Sequence, residues 1–110
     1  MEQFSANHSE LKEINVLEAG SGTGLTTIKI LDADSRIKVM AVDNEEKTIR
    51  QAEQILKDFK DRIEFVHKDI LSALLEIKDN SLDAFASAFA IHNFVNEYRE
   101  KVFKEIARVL

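Results

Sequence analysis

The sequence contains no cysteine and no proline, and only three glycines. Without cysteine, disulfides and thiolate metal sites are excluded. His8, His67 and His92 are spread along the chain without the spacing of a metal-ligand set, so no metal is expected. No apolar run approaches the length needed to cross a membrane. The first residues, MEQFSANHSELKE, lack both the basic start and the apolar body of a secretory signal, so a cytoplasmic setting is expected. Basic residues are outnumbered, 15 against 20 acidic, for a net charge of −5. Binding to duplex nucleic acid is not expected on that balance, because neutralising phosphates needs clustered Lys and Arg.

With 45% hydrophobic and 32% charged residues in 110, the composition is that of one globular domain. A chain of this length buries about two-thirds of its extended surface on folding. Residues 14–17 form an unbroken apolar run that reads as a buried strand. LTTIKILDA, residues 25–33, spaces Leu25, Ile28, Ile30 and Leu31 along one helical face, with Ser21 or Thr23 placed to cap its first turn. A second strand is expected over 36–43. A second helix follows over 45–59, burying Ile49, Ala52, Leu56 and Phe59.

A third strand pattern covers 62–69, residues 70–77 read as a short helix or a loop, and a fourth apolar strand runs over 82–87. The last helix begins at Asn96, with Tyr98, Val102, Phe103, Ile106 and Val109 or Leu110 on its buried side. This alternation predicts an α/β fold, a three-layer sandwich around a mostly parallel, doubly wound sheet. Right-handed crossovers place the first strand in its interior.

All three glycines fall in one stretch, NVLEAGSGTGLTT, directly after the first strand. Gly20, Gly22 and Gly24 cost chain entropy that a plain turn does not need, so something should come close to that backbone. Glu18, Asp43 and Asp69 each stand at the end of a strand pattern. Ligands of such sheets sit beyond the carboxyl ends of the strands, and acids there suit a ligand rich in hydrogen-bond donors. For any one of these acids alone, a plain loop residue or helix cap is the simpler reading. A dinucleotide is one alternative, but its G-x-G-x-x-G fingerprint wants Gly or Ala where Leu25 stands, and Glu18 would meet a pyrophosphate with like charge.

VLEAGSGTG, then MAVDNE, FVHKDI, LDAFASAFAIHNF and EIARVL, in that order, resemble the class I S-adenosylmethionine-dependent methyltransferase family. The resemblance covers nearly all of the chain from residue 14 and implies the Rossmann-like methyltransferase fold, with residues 1–110 as one cofactor-binding domain. It implies that Gly20, Ser21 and Gly22 pass beneath the methionine part of S-adenosyl-L-methionine, with Glu18 near its ammonium. It implies further that Asp43 takes both ribose hydroxyls and Asn44 lies along the adenine edge. By the same resemblance Asp69 accepts from the adenine amino group, the backbone N–H of Ile70 donates to the ring, and Ser87 and Ala88 line the methyl-donor side.

His92 is the one candidate for a catalytic group, with a lining or packing role as the simpler reading; His67, inside the third strand, reads as structural. The family's reaction is an in-line displacement on the sulfonium methyl. The acceptor, expected to be a small molecule, is not named by any motif. The family pattern continues past RVL with a Pro-containing turn and further strands, whereas this sequence stops at Leu110, which accounts for the missing proline. A fragment truncated after the fourth strand and its helix is therefore expected, self-associating through the exposed edge of residues 82–87. A non-catalytic cofactor-binding module or partner subunit of the same fold is the other reading.

Overall fold

A computed structural model describes residues 12–20, 24–87 and 95–110. Four parallel strands, β1 (Ile14–Ala19), β2 (Ile37–Asp43), β3 (Ile63–His67) and β4 (Ala84–Ser87), form one sheet in the order β3-β2-β1-β4. The first strand is interior, as the crossover rule requires. Between the strands run helices α1 (Leu25–Ala33), α2 (Glu46–Ile55) and α3 (Ile70–Leu75), and α4 (Asn96–Val109) follows β4.

Two cores cover the two faces of the sheet. Val16, Val39 and Ala41 pack with Ile37 and with Leu31 of α1, and Ile30, Phe59, Ile63 and Phe65 lie against them. On the other face Leu17, Ala19 and Val42 pack with Ile70, Ala73 and Leu74 of α3 and with Val102 and Val109 of α4. Alternate residues of β1 and β2 thus serve opposite layers, which is why both strands read as continuous apolar runs rather than alternating ones.

Several elements differ from the sequence expectation. The expected buried face of α1 is turned: Leu25 is 63% exposed, while Thr27 is fully buried beside Leu31. Gly24, with φ +91°, takes the cap position of this helix; Ser21 and Thr23, expected as caps, lie outside the described residues. The single helix over 45–59 breaks at Leu56 into a 3₁₀ segment, Lys57–Arg62. That break lets Leu56 bury fully while Phe59 still reaches the core on the α1 face. In α4, Val102 and Val109 are buried and Tyr98 and Ile106 packed beside them, but Phe103 is half exposed. The 70–77 stretch is a helix of six residues with Asp69 as its cap.

Arginines from distant segments close two of the helices. The Arg62 guanidinium donates to the carbonyls of Leu31 and Asp34, both at 2.7 Å, and of Ile37 at 3.1 Å, and stacks over the Phe59 ring. Arg108 donates to the carbonyls of Leu74 and Ile77, both at 2.8 Å. Neither α1 nor α3 carries a basic residue in its own last turn, so these cations complete helix ends that would otherwise leave carbonyls unpaired.

Candidate functional site

The carboxyl ends of β1, β2 and β3 are drawn level by backbone bonds that extend the ladders. Gly20 N–H donates to the Val42 carbonyl at 2.7 Å, and Lys68 N–H to the Asp43 carbonyl at 3.1 Å. Gly20 has φ +71°, a left-handed conformation that glycine adopts at little cost, and it turns the chain out of the sheet there. Beyond this rim lies a cavity of about 440 Å³. Gly20, Asp43, Asn44, Asp69 and Ile70 all line it, with Lys68, Tyr98, Ala19 and Val42 completing the wall.

Asp43 is half-buried at the end of β2. Its Oδ1 accepts the Glu45 N–H at 2.9 Å, the one hydrogen bond this carboxylate receives among the described residues. Asn44 is exposed, and His67 at the end of β3 donates to its carbonyl at 3.1 Å, which pins the β2 exit. Asp69 is more fully engaged. Its Oδ1 accepts the Ser72 hydroxyl at 2.6 Å, and its Oδ2 accepts Ser72 N–H at 3.1 Å and the Tyr98 hydroxyl at 3.0 Å. The Ser72 hydroxyl holds its pKa below the ordinary carboxylate value. Among the described residues Ile70 N–H has no partner, lying in the first turn of α3 where the helix supplies none.

Glu18 departs from the expected row of strand-end acids. In the strand register it pairs with Ala41, two residues before Asp43, and Ala19 follows it inside β1. It is fully buried, on the face that Val16 and α1 share. Its Oε1 accepts the Thr27 hydroxyl, and its Oε2 has no partner among the described residues. Burial pushes its pKa up, against the opposing pull of the Thr27 bond. Two acids therefore line the cavity, and the third lies in the layer behind it.

Gly24 shows where the third glycine serves. A Cβ there would come within 3.2 Å of Leu56 Cδ1 and 3.3 Å of its Cγ, so α1 and the end of α2 meet on bare backbone. Leu25, standing where a dinucleotide fingerprint wants its third glycine, points outward instead. Ser87 is exposed at the end of β4. Ser21, Gly22, Ala88 and His92 lie outside the described residues. Lys68 and Tyr98 were not singled out for the site from sequence. Lys68 follows an apolar strand like any loop cation, and it is paired with Glu76. Tyr98 reads simply as one apolar position on α4. Among the described residues no group of three or more His, Asp or Glu side chains could hold a metal, and no helix is long and apolar enough to cross a membrane.

Comparison with known proteins follows the same lines. A family model described as a methyltransferase domain matches residues 16–110. A Methanococcus maripaludis protein proposed to be an S-adenosyl-L-methionine-dependent methyltransferase is 25% identical, with a TM-score of 0.72 over 91% of this chain and 44% of its own. A Pyrococcus horikoshii protein is 29% identical, with a TM-score of 0.73 over 90% of this chain and 45% of its own. A SAM-dependent methyltransferase from Aquifex aeolicus, 24% identical, shares the fold with a TM-score of 0.70 over 90% of this chain and 52% of its own. The chain thus spans about half the length of these proteins. No curated protein matches it. The four-strand parallel sheet with helices on both faces is the Rossmann-like methyltransferase fold of these neighbours.

Proposed function

The chain belongs to the methyltransferase-domain family, and from that premise we propose that its rim cavity binds S-adenosyl-L-methionine for methyl transfer to a small-molecule acceptor. The observation that carries this reading is the convergence of Gly20, Asp43, Asn44, Asp69 and Ile70 on one cavity. A carboxylate at the end of β2 with a single internal hydrogen bond suits paired ribose hydroxyls, which it would accept through both oxygens. Asp69 and the Ile70 N–H offer an acceptor and a donor side by side, the complement of an adenine edge. Asn44 would lie along that edge.

Gly20, with Ser21 and Gly22, would pass beneath the amino-acid tail, and Glu18 would stand behind it with a buried oxygen, unpaired among the described residues, suited to a cationic group. The same buried acid disfavours a pyrophosphate against this loop, and Leu25 departs from the G-x-G-x-x-G fingerprint at its third glycine. Ser87 and Ala88 would border the methyl-donor side. When bound, the cofactor supplies a methyl group already activated on a sulfonium. What remains for the chain is alignment and exclusion of water. A general base is required only where the acceptor must lose a proton, and His92 is the candidate for that role.

Calorimetric titration of the chain with S-adenosylmethionine, and separately with NAD, tests the reading. Binding of the first alone is expected. NAD bound more tightly would make this a dinucleotide site, and binding of neither would leave an interaction subunit of the same fold. Asp43→Ala removes two charge-assisted bonds to the ribose, so affinity should fall about a hundredfold. An unchanged dissociation constant would remove Asp43 from the ribose.

A further inference from the structure

Tyr98 comes to the cavity from α4, 29 residues beyond the acid it touches. Its oxygen accepts Leu71 N–H at 3.3 Å and its hydroxyl donates to Asp69 Oδ2 at 3.0 Å. Accepting on one side fixes the direction in which the phenol donates on the other. The two groups hold complementary protonation states: burial keeps the Tyr98 phenol protonated beyond its usual range, while hydrogen bonds keep Asp69 ionised.

A carboxylate offers about four acceptor positions. In Asp69, Ser72 N–H and the Tyr98 hydroxyl occupy Oδ2, and the Ser72 hydroxyl takes one position on Oδ1. Among the described residues one acceptor position is left, on Oδ1, in a residue that lines the cavity. We propose that Tyr98 is a positioning residue for base selection, holding Asp69 as an acceptor-only group that takes a base with an amino group on its edge and rejects one with a carbonyl. Ser72 ties the carboxylate to the helix it caps, and Tyr98 adds a bond to it from α4. Without the Tyr98 hydroxyl the carboxylate is held, among the described residues, by Ser72 alone, and Leu71 N–H loses its partner. The inference rests on the cofactor reading above and deepens it, because it ties base recognition to the helix that follows β4.

The test compares S-adenosylhomocysteine with its inosine counterpart, which carries a carbonyl in place of the amino group, on wild type and on Tyr98→Phe. Wild type should prefer the adenosine ligand at least about tenfold, since a site built to accept a donor is left facing an acceptor by the analogue. Tyr98→Phe should weaken the adenosine ligand and shrink the preference to about threefold or less. A merely structural tyrosine would lower the melting temperature and leave the ratio alone, and that outcome overturns the proposal while the cofactor reading stands. Equal binding of both ligands by wild type would also overturn it, and binding of neither would overturn the cofactor reading itself. Tyr98 is the only tyrosine in the chain, so tyrosine-labelled wild-type protein gives one set of ring signals whether or not the variant folds. Those signals should shift on saturation with the adenosine ligand, and a saturated sample without a shift would likewise refute the role.

Discussion

The Thr27 hydroxyl donates to Glu18 Oε1 in the layer between the sheet and α1, leaving Oε2 buried and unpartnered among the described residues. One hydroxyl satisfies one of the carboxylate's two oxygens, so the ionised form is held at a cost.

That cost makes stability depend on pH in a definite direction. Burial raises the folded pKa of Glu18 above its ordinary 4.5. Below 4.5 the carboxyl is protonated in both states and contributes nothing to the difference. As pH rises past 4.5 the unfolded chain ionises first, and folding loses stability until the folded pKa is passed. Asp34 acts oppositely: the side-chain hydrogen bond from Arg36 holds it down to about 2, so its contribution is present above 3.8 and is lost as pH falls toward 2. Asp69, also lowered, adds to that acid limb. Denaturant melts of wild type and Glu18→Gln across pH 3–8 separate the effects. The stability difference between the two should be flat below 4.5, change in favour of Gln as pH rises, and then level off. A difference that does not vary with pH would show that Glu18 pays no burial cost.

The strand positions were legible because each strand carries apolar side chains to both layers. Asp43 was legible because it ends such a run, and Asp69 because it closes the third strand pattern two residues past His67. What periodicity missed has a common cause: partners far apart in sequence. Thr27 rather than Leu25 faces the sheet because Glu18 needs its hydroxyl, a demand that hydrophobicity does not encode. Phe103 was expected inside because it is large and apolar, yet the positions of α4 that meet α3 are Val102 and Val109. Tyr98 was placed on the buried face of its helix, but its tie to Asp69 spans 29 residues and needs the fold to appear.

The helix-end arginines are a second long-range device with a measurable effect. Arg62→Met keeps the apolar stem over Phe59 and removes three charge-assisted bonds to the carbonyls of Leu31, Asp34 and Ile37. The expected loss is about 2 kcal/mol, a fall in Tm of about 8 °C for a domain of this size. Arg62→Lys should recover little, because an ammonium is a point charge that does not reproduce the guanidinium fork across three acceptors. Thermal melts of both variants check this, and a lysine variant as stable as wild type would mean that charge alone closes α1.

β4 is one of the two edge strands of the described sheet, with β3 at the other side. Among the described residues it pairs only with β1, tied at its start by Asp83 N–H to the Asn15 carbonyl at 2.8 Å and Asn15 N–H to Asp83 Oδ2 at 2.7 Å. Among the described residues no strand pairs with its other side beside Phe85 and Ala86, both only half-buried. Such an edge recruits strands from other chains, so this chain, taken alone, should self-associate through that side of β4, at residues 84–86, as its concentration rises. Ala84 is exposed, and Ala84→Lys therefore places a charge on the edge without burying it. Light scattering should show an apparent mass that grows with concentration for wild type and is held near the monomer by the lysine. A wild-type monomer at every concentration would mean that the edge is covered, and the lysine substitution should then leave the measured mass unchanged.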